Sequence, residues 1–184
     1  MMKKTTDATL YRMLADGGEH REEAFREIYA RYSSRVWLYC LKVMGNRQSA
    51  EDAFQGTFLR LLNSVDPGRM MTNLPGYLLK IARNLCLNTK AKMRPMTLPT
   101  DELEIPVEEH PVESRELERL VSTALDLLPE EQREAFVLQI YDGLSYKEIA
   151  EVIDRPVSTV RNRVVRAKQK VRKVLAPYLE DYRP

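Results

Sequence analysis

Sulfur and imidazole are scarce in this chain. It holds two cysteines, Cys40 and Cys86, and two histidines, His20 and His110, among 184 residues. Each cysteine lies inside an apolar helical pattern, VWLYCLKV and KIARNLCLN, which reads as a buried reduced thiol rather than half of a disulfide. No cysteine or histidine stands at ligand spacing from either histidine, so no metal site is expected and no cofactor is called for. No apolar run is long enough to span a bilayer. The opening MMKKTTDATLYRML is basic but lacks the apolar core and small-residue cleavage site of a secretory signal. These absences predict a cytoplasmic protein without membrane insertion. There is also no phosphate loop, no nucleophile elbow, no internal repeat and no low-complexity tract.

A further absence is local. From Arg155 to Leu179 the chain has no acidic residue, although its net charge is only +2. Acids crowd instead between Asp101 and Glu118. Charge segregated in this way marks a local basic surface, for which nucleic acid is the commonest partner.

What is present is helical periodicity almost throughout. In AFREIYARYSSRVWLYCLKVM, Phe25, Ile28, Tyr29 and Tyr32 recur at three- and four-residue steps, continued by Val36, Tyr39, Cys40 and Val43. Asn46 to Ser49 break the pattern, and Ser49 with Asp52 resembles a helix start. The next helix points Ala50, Ala53, Phe54, Thr57, Phe58, Leu61 and Leu62 inward and leaves Asp52, Gln55 and Arg60 outside. VDPGRMMTN is a turn-rich loop, and a further helix runs from about Asn73 to Lys92. From Arg94 to about Val112, four prolines and a string of acids describe a linker. Helices resume near Glu113. In LPEEQREAFVLQIY, Pro129 suits a first helical position, Glu130 and Glu131 suit the positive end of the dipole, and Gly143 suits the end. The expected architecture is all-α: two small helical domains, residues 1–93 and 113–184, joined by a flexible acidic linker over 94–112.

The segment GLSYKEIAEVIDRPVSTVRNRVVRAKQKV carries the most specific local signals. Ser145 and Glu148 form a capping box. The short helix they open has Ile149, Ala150 and Ile153 on its inner face. Asp154 tolerates a left-handed turn, and Pro156 pre-sets a second helix. Helix, tight turn, helix is the arrangement that presents a second helix to the major groove. In that helix Val157, Val160, Val164, Ala167, Val171 and Val174 form one apolar seam. Off it lie Ser158, Arg161, Asn162, Val165, Arg166 and Gln169, with Lys168, Lys170, Arg172 and Lys173 downstream. Arginine can pair bidentately with guanine and asparagine with adenine, while the downstream Lys168, Lys170, Arg172 and Lys173 would meet phosphates rather than read bases. A solvated amphipathic helix would also be basic. The capping box, turn and proline in register favour DNA binding over it.

LPEEQREAFVLQIYDGLSYKEIAEVIDRPVSTVRNRVVRAKQKV, residues 128–171, resembles the promoter-binding C-terminal domain of the extracytoplasmic-function (ECF) RNA polymerase sigma factors. FREIYARYSSRVWLYCLKVMGNRQSAEDAFQGTFLRLL and NLPGYLLKIARNLCLN resemble that family's other helical domain. The resemblance implies a factor that binds core RNA polymerase, recognises promoter DNA and directs transcription initiation, without enzymatic activity of its own. An anti-sigma factor is a further implied partner. Position by position, it implies that Asp52, Gln55, Phe58 and Leu61 dock on the polymerase clamp. Gly56 departs from the acid usual there. Arg69, Asn73, Tyr77, Lys80, Arg83, Asn84 and Asn88, with Met70 and Met71, would meet the melted downstream element; Tyr77 stands where tryptophan is common. Arg161, Asn162, Val165 and Arg166 would face the upstream element, and Ser158, Thr159, Arg163 and Arg155 its phosphates. The linker would thread the channel that later carries RNA.

Three other readings compete. A helix-turn-helix regulator acting without polymerase docking shares the same DNA-reading module. An enzyme is suggested by Glu108 and Glu109 beside His110, but a proline-broken segment gives acid–base chemistry no rigid frame. A helical adaptor leaves the basic helix without a purpose. If the linker's acids imitate a transcript's charge, reversing Asp101, Glu102, Glu104, Glu108 and Glu109 to lysine lowers initiation on a purified polymerase. Equal abortive and full-length transcription would count against that role.

Overall fold

A computed structural model describes residues 5–93 and 112–179. Residues 94–111 of the acidic linker, with its expected channel role and His110, lie outside the described residues. Eight α-helices make up the described chain, in two compact units. The first contains α1 (Asp7–Asp16), α2 (Arg21–Met44), α3 (Arg47–Ser64) and α4 (Leu74–Met93). The second contains α5 (Val112–Asp126), α6 (Glu130–Ile140), the opening turns of α7 (Tyr146–Ile153) and α8 (Val157–Leu179). No described helix is long and apolar enough to cross a membrane.

In the first unit, local chemistry sets each helix boundary. Thr6 caps α1, its hydroxyl accepting from the Thr9 amide. Gly17 and Gly45 end α1 and α2 with φ of 73° and 74°, a left-handed backbone that costs glycine little. The start of α3 lies three residues earlier than Ser49 suggests. Asn46 is the cap, its Oδ1 accepting from the Ser49 amide at 2.8 Å, and Ser49 sits buried inside the helix.

The core of this unit is contributed by all four helices. Leu10 and Leu14 come from α1, Ile28, Tyr39 and Cys40 from α2, Ala53 and Leu61 from α3, and Leu74, Leu78, Ala82 and Cys86 from α4. Both thiols are free and buried. At Gly56 α3 meets a side chain of α4 closely: a Cβ there would lie 3.2 Å from Leu85 Cδ1. The glycine that weakens α3 by about 1 kcal/mol relative to alanine thus makes room for the neighbouring leucine. Arg31 ties α1 to α2. It donates to the Thr5 carbonyl at 2.8 Å, to Asp7 at 3.1 Å and to Glu27 at 2.8 Å. Tyr32 donates to the other oxygen of Asp7, and burial, reinforced by that carboxylate, raises its hydroxyl pKa.

In the second unit α5 and α6 pack on α8. Ala124, Leu125, Leu128, Phe136, Ala167 and Val171 form a buried cluster, with Val121, Val174 and Leu175 against it. Five consecutive residues of α6, Glu134 to Leu138, are buried, so that helix has little free face. Pro129 stands at the cap of α6 rather than at its first helical position. Its carbonyl accepts from the Gln132 and Arg133 amides. Gly143, at φ 63°, turns the chain after α6 so that the Leu144 amide reaches the Leu138 carbonyl.

The capping box of α7 is complete. Ser145 Oγ accepts from the Glu148 amide at 3.3 Å, and Glu148 Oε2 accepts from the Ser145 amide at 2.8 Å. Val152 joins Ile149 and Ile153 among the buried residues of α7, while Ala150 is half-buried. Asp154 adopts φ 53° and ψ 56°, the left-handed turn between α7 and α8, and among the described residues no other non-glycine has positive φ. Ser145→Ala is expected to weaken the first turn of α7 by about 1 kcal/mol, read as faster hydrogen exchange at its amides. Unchanged exchange would show that tertiary packing alone holds that turn.

Candidate nucleic-acid and polymerase interfaces

The rotation of α8 is fixed by its seam. Val160, Val164 and Ala167 are fully buried and Val171 nearly so, while Val157, at the helix start, is exposed. The opposite face carries Ser158, Arg161, Asn162, Val165 and Arg166, all exposed. They recur at three- and four-residue steps and therefore share one side of the helix. This side offers a hydroxyl, two guanidinium groups, a carboxamide and a methyl surface, donors and apolar groups suited to base edges in a major groove. Arg155 projects at the turn, its guanidinium 3.4 Å from the Asp154 carbonyl, and is exposed. Thr159 is half-buried at the edge of the seam.

Two basic residues expected at the phosphates point elsewhere. Arg163 is turned toward α6, where Nη2 lies 2.6 Å from Glu131 Oε2 and the arginine side chain is only 14% exposed. This pairing removes Arg163 from the DNA-facing set. Lys170 donates to the Leu127 carbonyl just beyond the end of α5, and so serves as a cation at a helix C-terminus.

In the first unit the loop before α4 presents a different surface. Met70 is 87% exposed, whereas Met71 is buried. The Arg69 guanidinium lies over the Tyr77 ring, 4.2 Å from its centroid. The Tyr77 hydroxyl is 3.0 Å from Ser64 Oγ, and the ring meets Tyr11 edge-on. Tyr77 is thus half-buried, with a protein cation already on its face. Asn73 differs from its expected role as well: its Oδ1 accepts from the Gly76 amide at 2.9 Å, capping α4. From Tyr77, exposed Lys80, Asn84 and Asn88 continue along one stripe of α4, with Arg83 half-buried beside it.

On α3, Asp52 and Gln55 are exposed, but Phe58 and Leu61 are buried at 4% and 0%. Those two belong to the unit's own core because they fall on the same stripe as Ala50, Ala53 and Thr57. A partner reaching this helix meets Asp52, Gln55, Arg60 and Leu59, the last 61% exposed and not singled out by its place in the sequence. Beside them lies an aromatic face. Tyr29, 42% exposed, sits 4.8 Å from Phe58 and 6.1 Å from Phe54 between ring centroids, and Trp37 is 5.7 Å from Phe54. Three- and four-residue spacing places Tyr29 inside; its position at the stripe's edge leaves it half in solvent.

Comparison with known proteins agrees with this arrangement. Residues 28–94 match the family model for sigma-70 region 2, and residues 118–171 match that for sigma-70 region 4. The ECF RNA polymerase sigma factor SigE of Mycolicibacterium smegmatis is 33% identical over 174 residues, covering 91% of this chain and 67% of that protein. EcfG of Rhodopseudomonas palustris, another ECF RNA polymerase sigma factor, is 33% identical over 149 residues, covering 79% and 82%. Among solved structures, the sigma factor RpoE in complex with the anti-sigma factor NepR from Bartonella quintana has a similar fold. Its TM-score is 0.73 at 21% identity, over 84% of this chain and 98% of that one. CnrH, solved with the cytosolic domain of CnrY, gives 0.71 at 22% identity, over 93% and 97%.

Two helical units, the second closed by a helix-turn-helix, with a sigma-70 region in each, define a transcription initiation factor. The chain belongs to the ECF RNA polymerase sigma factors, which direct promoter recognition and transcription initiation with core RNA polymerase. A regulator acting without polymerase docking is not favoured, because the region 2 match occupies most of the first unit.

Removing one ion pair between a basic side chain and a DNA phosphate lowers the slope of log affinity against log salt by about 0.9. Arg163→Gln is expected to leave that slope unchanged and to behave like Glu131→Gln in thermal unfolding. A reduced slope for Arg163→Gln alone would return this residue to the DNA face.

Proposed function

We propose that the exposed side of α8 reads the upstream promoter element, with Arg161 and Asn162 on neighbouring guanine and adenine positions and Val165 on a thymine methyl. The observation that carries this is the burial of Val160, Val164 and Ala167 opposite Ser158, Arg161, Asn162, Val165 and Arg166. A helix held by that seam offers one face, and that face carries the side chains that pair with base edges. Arg155 and Ser158 position the helix on phosphates, and the exposed Lys168, Arg172 and Lys173 extend that contact along α8.

In this reading the first unit, residues 1–93, has two tasks. The exposed surface of α3 around Asp52 and Gln55, with the neighbouring aromatic face, docks on core polymerase. The loop at Arg69 and the α4 stripe from Tyr77 to Asn88 receive the melted non-template strand. Residues 94–112 tether this unit to the promoter-reading unit, residues 113–184. The chain performs no covalent chemistry and works in the cytoplasm, where core polymerase and promoter are found. An anti-sigma factor is the regulatory partner this reading adds, supported by the NepR complex of the structurally similar RpoE.

The test is reconstitution of the full chain with core RNA polymerase on a random promoter library, read out as transcripts. The wild type is expected to select two separated elements. Asn162→Ala is expected to relax selection at one base of the upstream element, costing about 1–3 kcal/mol of discrimination there. An unchanged preference would remove Asn162 from base reading, and a chain that fails to associate with core polymerase would overturn the whole reading.

A further inference from the structure

We infer that an unpaired promoter base stacks on the guanidinium of Arg69, carried on Tyr77 as a two-layer platform, rather than on the Tyr77 ring itself. The inference rests on the reading above, in which the first unit meets the melted strand, and specifies which group the base touches.

The platform is built from both sides. Tyr77 is fixed at its hydroxyl by Ser64 Oγ at 3.0 Å, at its amide by the Asn73 carbonyl at 3.0 Å, and at its ring by the perpendicular ring of Tyr11. Arg69 is fixed by its turn. Asp66 receives the Arg69 amide on its carbonyl at 3.0 Å and the Gly68 amide on Oδ1 at 2.9 Å. The Asp66 amide in turn donates to Tyr11 Oη at 3.2 Å, so the turn and the tyrosine share an anchor. The outcome is an exposed guanidinium lying over the ring, 4.2 Å from its centroid.

A base approaching this face of Tyr77 from solvent meets Arg69 first. To stack on the phenol it would have to displace a cation that the ring quadrupole attracts. To stack on the guanidinium it displaces only water, which guanidinium holds more weakly than ammonium does. Arginine planes are used as stacking surfaces for unstacked bases. Their N–H groups lie in the plane, so the same side chain can stack by its face and donate to a backbone phosphate by its edge. Beyond the platform, Lys80, Asn84 and Asn88 continue the exposed stripe of α4 and supply the next donors for a strand leaving it.

The experiment compares two probes bound by holoenzyme assembled from core polymerase and the full chain. One is a duplex promoter fragment taken from the library selection. The other is the same fragment with a single-stranded non-template extension through the downstream element. The ratio of their affinities isolates the contribution of the unpaired strand. Arg69→Ala and Arg69→Lys are both expected to reduce that ratio by roughly ten-fold, because neither presents a planar face, and Tyr77→Leu is expected to do the same. Thermal unfolding of Arg69→Lys, an exposed conservative change, checks that the fold is kept. If Arg69→Ala keeps the wild-type ratio, the uncovered phenol is the platform and the inference fails. If Arg69→Lys keeps it while Arg69→Ala does not, charge rather than stacking is responsible and the inference again fails. A wild-type ratio of one, with duplex still bound, would instead overturn the assignment of the first unit to melted DNA.

Discussion

The seam of α8 sets the orientation of everything the second unit shows to its surroundings. Val160, Val164, Ala167 and Val171 return at four, three and four residues and are buried together. Each fully buried valine contributes on the order of 1.5–3 kcal/mol. An exposed ion pair contributes about 0–1 kcal/mol. The rotation of the helix is therefore decided by its apolar side, and the polar side follows. Arg163 against Glu131 and Lys170 against the Leu127 carbonyl flank this seam and bind α8 to α6 and to the end of α5. Basic residues on such a helix divide into those that hold it and those that it displays.

The first unit has the same economy in a different form. α3 carries exposed polar residues on one side, and on the other its backbone approaches α4 closely enough that Gly56 leaves space for Leu85. α4 in turn bears Tyr77 and the stripe beyond it. The helix whose exposed side is assigned to polymerase thus packs directly on the helix whose stripe is assigned to DNA, with Leu85 seated over Gly56. The Arg31 cluster, reaching Thr5, Asp7 and Glu27, holds α1 against this frame and keeps Tyr11 beside Tyr77.

The parts of the fold legible in the sequence are those governed by neighbouring residues. Ser145 and Glu148 specify a capping box within four residues, and Asp154 specifies its turn through its own backbone preference. The buried seam of α8 follows from periodicity. Positions governed by distant partners are not legible. Arg163 lies at the edge of the helical wheel, and its turn toward Glu131 depends on the packing of α6. Lys170 reaches a carbonyl 43 residues earlier in the chain. Asn46 and Ser49 are both competent caps three residues apart, and the break at Gly45 decides between them. Family resemblance places Phe58 and Leu61 at an interface, but their inner-stripe positions bury them. Arg69 and Tyr77 each stand out in the sequence, yet no spacing rule announces that one covers the other.

Trp37 gives the chain a property separate from its duties. It is the sole tryptophan, and its ring packs edge-to-face with Phe54, where α2 meets α3. Ultraviolet emission excited at the indole band therefore originates from a single place in the first unit. The protein carries an intrinsic optical label on the packing of two of its helices, needing neither dye nor added cysteine.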